Sequence, residues 1–136
     1  MTDFISTRVA DNYRLARSNT LLSLADGTYS IIRIPKFAFV DGVWLYITTA
    51  YAGGSGGSAT IGFIGNGETA DTDGFMDATA CGARATGYKF SGDDTQPCSQ
   101  GKWFSGAGGM LTITLAKSSD TTLMIGLVFM RYTVII

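Results

Sequence analysis

Along one central stretch of the chain, Val43, Leu45, Ile47 and Thr49 alternate with Trp44, Tyr46, Thr48 and Ala50. A repeat of two is what a β-strand imposes, because successive side chains leave the backbone on opposite faces of the sheet. The pattern predicts a strand over 43–51, and related patterns predict others over 29–34, 59–64, 110–117 and 121–135. Pro35 should end the strand at 29–34, since proline has no N–H to give to a ladder. Turn chemistry marks Ala25-Asp26-Gly27-Thr28, Asp41-Gly42 and Ser118-Ser119-Asp120. The run Gly53-Gly54-Ser55-Gly56-Gly57-Ser58 reads as the exposed loop of a hairpin. The strands at 110–117 and 121–135 read as a second hairpin. From Gly65 to Gly109 periodic apolar residues are few, so long loops with one or two short strands are expected there. Residues 1–20, with only a weak stripe of Ile5, Val9, Tyr13 and Ala16, read as an N-terminal arm ahead of a domain over 21–136.

Composition narrows the fold class. The chain has one Glu, four Lys and two Gln against 17 Thr and 18 Gly, a poor supply for exposed helices and a good one for short strands and tight turns. Its 136 residues suit one domain, large enough to fold without a disulfide or a metal. The expectation is an all-β protein: a single antiparallel β-sandwich, jelly-roll-like, with long Gly-rich loops. No fixed-period repeat points to a solenoid or a propeller.

Two strands are apolar on both sides. The last one places Leu123, Ile125, Leu127 and Phe129 on one side and Met124, Val128, Met130, Tyr132 and Val134 on the other. In the strand at 43–51, Trp44 and Tyr46 oppose the Val43, Leu45 and Ile47 set assigned to the core. A sandwich strand in a monomer alternates apolar and polar, so a second apolar side marks either a partner or cover by the chain's own loops or arm. Trp44, Tyr46, Met124, Val128, Met130 and Tyr132 are therefore the expected oligomer or partner interface.

Charge and chemistry exclude more than they suggest. Ten basic and eleven acidic residues leave a net charge of −1, and the basic residues of the first third are interleaved with Asp3, Asp11, Asp26 and Asp41. That pattern gives no groove for nucleic acid and no attraction to an anionic membrane. The beginning of the chain lacks the basic-then-apolar layout of a signal peptide, and no apolar run reaches membrane-helix length. With no histidine, Ser-His-Asp and Cys-His catalysis and His-ligated zinc are all excluded. Asp71, Asp73 and Asp77 stand at spacings open to a hard cation such as calcium, or to plain turn capping. Cys81 and Cys98 flank a Gly-rich stretch and are either a disulfide or, as a cytosolic chain favours, free thiols. No cofactor is expected and no catalytic residue is assigned.

One set of segments has a familiar look. Ile34-Pro35, the run to Thr48-Thr49-Ala50-Tyr51, the Gly/Ser loop, Ala59-Thr60-Ile61-Gly62 and Asp71-Thr72-Asp73-Gly74-Phe75-Met76 together resemble small β-sandwich head decoration, or auxiliary capsid, proteins of tailed bacteriophages. An "IP" entry, a "TTA" strand end and an "IG…D.D.F" segment carry the resemblance, which covers a little over a third of the chain. Gly65–Gly67 and the cysteine-bearing region depart from that pattern. The resemblance implies β-sandwich or jelly-roll subunits, often trimeric, bound to the major capsid protein lattice at the surface of the phage head and made in the host bacterial cytoplasm. A tail, fibre or spike component is the nearest variant. The residues alone keep a different class open, a carbohydrate-binding module using Trp44, Tyr46 and Trp103 as a stacking platform.

Overall fold

The structure is a computed structural model that describes residues 13–135. Among the described residues ten strands form two antiparallel sheets. The first sheet runs in the order β1 (Tyr13–Arg17), β10 (Ile125–Val134), β4 (Ala38–Thr49), β7 (Gly87–Phe90), with β2 (Leu21–Leu22) also on β10 and β8 (Lys102–Phe104) also on β4. The second runs β3 (Gly27–Ile34), β9 (Gly109–Ala116), β5 (Ser58–Gly65), β6 (Glu68–Met76). A single helical turn, α1 (Ala78–Cys81), and a 3-10 turn at Ser91–Asp93 lie between β6 and β8. If β1 with β2, and β7 with β8, each fill one strand position, the chain crosses between sheets at every connection except β5 to β6. That is a jelly-roll-like order, and the expected antiparallel sandwich is the fold observed.

Strands fall where alternation put them, but their partners do not. β9 pairs with β3 and β5, while β10 pairs with β1, β2 and β4, so 110–117 and 121–135 are not a hairpin. The Gly/Ser run likewise crosses from β4 in one sheet to β5 in the other. Period two reports that a segment is a strand, and a short polar link between two strands fits a crossing as well as a hairpin. The hairpin found is β5–β6, whose turn holds Gly65, Asn66 and Gly67 at φ 96°, 59° and 69°. Asp41-Gly42 is not a turn either. Gly42 faces Arg131 and Val40 faces Tyr132, which leaves Asp41 as the extra residue of a bulge inside β4. The segment 65–109 is more ordered than expected, with β6, α1, β7 and β8 in it. The assigned arm divides: residues 1–12 lie outside the described residues, and 13–17 form β1 rather than a separate arm.

The core fills the space between the two inner faces. Val43, Leu45 and Ile47 of β4 are fully buried there, as assigned, opposite Ile61 of β5 and Leu111 and Ile113 of β9. On β10 the assignment of faces is reversed. Val128 and Met130 are fully buried and Met124 is nearly so, while Tyr132 packs against the core cluster. Ile125, Leu127, Phe129 and Arg131 take the outer, half-buried side. Both sides of β10 are apolar, so hydrophobicity could not choose between them. Arg131 could have: a guanidinium belongs in water, and its side must be the outer one.

The Gly/Ser crossing is ordered by one carboxylate. Asp120 accepts N–H bonds from Gly54 (3.0 Å) and Gly57 (2.8 Å) and a two-pronged contact from Arg84 through Nε and Nη2, each at 3.0 Å. Arg84 Nη2 also donates to the Gly54 carbonyl at 2.9 Å, so three loops meet on one ion pair. A Cβ at Gly57 would stand 2.5 Å from both the Asp120 carboxylate and the Tyr51 ring, which is why glycine sits there.

Two outcomes follow from this packing. Met130→Ala should lower unfolding stability in urea by about 2–5 kcal/mol, the range for emptying a fully buried site, and Leu127→Ala by less than half as much. Equal losses, or the reverse order, would restore the opposite face assignment. The Arg84 guanidinium, seconded by the Gly57 and Gly54 N–H groups, holds the Asp120 carboxyl below its usual range. A depressed carboxyl contributes stability that is present above its unfolded value and lost as pH falls through the folded one. The urea midpoint should therefore fall below about pH 4, the usual carboxylate range, and Asp120→Asn should lower the midpoint at neutral pH and flatten that acid dependence.

Candidate functional site: an aromatic interaction face

The outer face of the first sheet is built row by row from strand register. Trp44 lies between Phe90 of β7 and Phe129 of β10, with Arg17 of β1 beyond Phe129. Tyr46 lies between Tyr88 and Leu127 in the next row. In the opposite direction Thr133 separates Phe39 of β4 from Tyr13 of β1, and Trp103 of β8 pairs with Phe39 on the other side. Cross-strand neighbours share a face, so the buried alternates Val40, Val43, Leu45, Val128 and Met130 leave the aromatic set pointing outward.

Contacts within the face hold the rings flat and close. Trp44 stacks on Phe90 with centroids 4.8 Å apart, and Tyr46 stacks on Tyr88 at 4.2 Å. Such pairs contribute roughly 0.5–1.5 kcal/mol beyond area burial. The Arg131 guanidinium lies over both Tyr13 (5.3 Å) and Trp44 (5.4 Å) and is fixed from the side by Asp41 Oδ1 at 2.9 Å. The β4 bulge brings that carboxylate into place. Gly42 has no room for a side chain, because a Cβ would meet the Trp44 ring at 2.7 Å. Between β1 and β4 the face dips into a shallow depression lined by Tyr13, Leu15, Trp44, Tyr88, Phe129 and Arg131. Its rim stays in water: Leu15 and Tyr88 are each 67% exposed.

The structure thus brings Trp44, Tyr46 and Trp103 onto one face, with Trp103 set apart and leaning on Phe37, whose ring is 6.4 Å away. Of the expected interface residues, Trp44 and Tyr46 are outward, while Met124, Val128, Met130 and Tyr132 belong to the inner side. Sequence reasoning missed Tyr13, Tyr88, Phe90 and Phe129. Three of these fall on strands or faces that periodicity misread, and the fourth, Tyr13, was placed in the arm.

The acidic segment does not gather into one group. Asp71 and Asp73 are neighbours on β6, where the Asp73 N–H donates to Asp71 Oδ1 at 3.3 Å, and their crowding raises the Asp73 carboxyl above its usual value. Asp77 is elsewhere occupied, capping α1 through the Ala80 N–H (2.8 Å) and accepting from Gln96 (3.1 Å). Among the described residues no three His, Cys, Asp or Glu side chains form a set that could hold a metal. Cys81 and Cys98 are both buried free thiols, not a disulfide. Burial pushes the Cys81 thiol up to about 12, which makes it inert rather than nucleophilic. Among the described residues no helix is long and apolar enough to cross a membrane.

No protein-family model matches the chain, and no curated protein sequence does. Solved structures do. By fold this is an antiparallel β-sandwich of a kind found in phage capsids. It aligns with a chain in the acidic stable capsid structure of Helicobacter pylori bacteriophage KHP30 at TM-score 0.63 and 17% identity, over 89% of this chain and 86% of that one. It also aligns with a chain in the capsid asymmetric unit of cyanophage Pam1 at TM-score 0.62 and 15% identity, over 91% and 86%. At these identities the shared property is the fold.

Proposed function

We propose that this chain is a non-enzymatic structural component of a tailed-bacteriophage virion that decorates or stabilises the head. It is made in the host bacterial cytoplasm, associates as a homo-oligomer, with a trimer as the number the family resemblance implies, and binds the major capsid protein lattice at the head surface. The observation that carries this reading is the alignment of nearly the whole chain with chains from two phage capsids. The aromatic face supports it independently. Trp, Tyr and Arg are the residues enriched at protein interfaces, and here Trp44, Tyr46, Tyr88 and Arg131 lie together on an open sheet surface. In this reading that face is the one laid on the lattice.

The test is location. Peptide mass spectrometry of purified virions should find the chain in amounts stoichiometric with the major capsid protein, and labelled antibodies should mark heads. Label on tails or fibres would move the protein to another part of the particle. Absence from particles, with binding to a glycan array that Trp103→Ala abolishes, would replace the proposal with the carbohydrate-binding one.

A further inference from the structure

The two lateral sides of the sandwich carry opposite charge. One side is formed by the edge strands β1 and β3, brought together because only four residues separate β2 from β3. It presents Arg14, Arg17 and Arg33, all exposed and none in an ion pair among the described residues. Its one described carboxylate, Asp26, already accepts the Lys117 N–H at 2.8 Å. The opposite side is formed by β6 of one sheet and β7 with β8 of the other. They are tied by the Lys102–Glu68 pair at 3.0 Å, by Cys98 N–H to the Gly74 carbonyl at 2.8 Å and by the Asp77 N–H to Asp94 Oδ2 at 2.8 Å. That side holds Glu68, Asp71, Asp73, Asp77, Asp93 and Asp94 against Lys89 and Lys102. Asp71, Asp73 and Asp93 have no cationic partner among the described residues.

Charged edge strands on their own are a common guard against edge-to-edge aggregation. That role is served by either sign and does not call for opposite signs on opposite sides. Like-signed edges would repel at every approach, whereas these edges attract one way round. We propose that copies of this chain associate head to tail, with Arg14, Arg17 and Arg33 of one subunit set against Asp71, Asp73 and Asp93 of the next. A contact between two different surfaces of the same chain is heterologous, and it closes into a ring when the rotation per subunit divides the circle. Such a ring uses the two lateral edges and leaves the middle of the aromatic face, with Trp44 and Tyr46, free for the lattice. The inference rests on the homo-oligomer part of the proposed function and names the surfaces that part leaves open.

Sedimentation velocity on the full chain tests it. The wild-type protein should sediment as an oligomer at about 50 mM salt and dissociate as salt rises to about 500 mM, where exposed charges are screened within a few ångströms. R14E/R17E makes both sides acidic, and D71K/D73K cancels the acidic excess of the second side and puts positive charge at the contact itself. Each should raise the self-dissociation constant at least tenfold, and an equal mixture of the two should assemble again, because each supplies the side the other lacks. Circular dichroism checks that both fold. If D71K/D73K does not, the salt series and R14E/R17E carry the test alone. A wild-type oligomer indifferent to salt and to these substitutions would overturn the edge assignment while leaving the oligomer intact. A wild-type monomer at micromolar concentration in low salt would overturn both. Location in virions is measured separately and stands or falls without either result.

Discussion

The ladder between β4 and β10 is what the rest of the molecule is arranged around. These are the two longest strands, they lie side by side at the centre of one sheet, and each is apolar on both faces. A sheet face of that kind cannot stay in water cheaply, so one side must close on the second sheet and the other needs a different cover. The inner side closes within the chain: Val43, Leu45, Ile47, Val128 and Met130 leave no exposed surface. The outer side is only half closed by its own stacking rings. The two halves of the problem are solved by one alternation, which is why a one-residue shift of β10 would expose the core and bury Arg131.

The bulge at Asp41 connects that packing to the outer face. By adding a residue to β4 opposite β10, it resets the register at the end of the ladder. It also places a carboxylate beside Arg131, which in turn lies over Trp44 and Tyr13. A polar cluster thus sits in the middle of an aromatic surface. At a second end of the sandwich Asp120 and Arg84 gather the Gly/Ser crossing, so the loops there are anchored by charge-assisted hydrogen bonds rather than apolar contacts.

Much of this was legible in the sequence. Period two located β3, β4, β5, β9 and β10, and the split of Val43, Leu45 and Ile47 from Trp44 and Tyr46 was read correctly. Strand partners were not legible, because a jelly-roll-like order depends on contacts between distant residues and leaves no local trace. On β10 both sides are apolar, and only Arg131 marks the one that faces water. The segment 65–109 hid its strands: β6 is irregularly paired with β5 and mostly exposed along its first half, and β7 and β8 are too short to show a period. Three aromatics of the outer face, Tyr88, Phe90 and Trp103, come from that segment. Asp120 read as an ordinary turn residue, since nothing local announces that it takes a guanidinium and two glycine N–H groups from elsewhere.

The central claim is that the inner face of the β4–β10 sheet is closed by the chain itself and the outer face is kept for a partner in the particle. Hydroxyl-radical footprinting read by mass spectrometry, on the free protein and on purified virions, tests both halves at once. The account predicts that Tyr88, Trp103 and, more weakly, Trp44 and Tyr46 are oxidised in the free protein and protected in virions, with Met130 silent in both. Equal oxidation of the aromatic face in the two samples would contradict it.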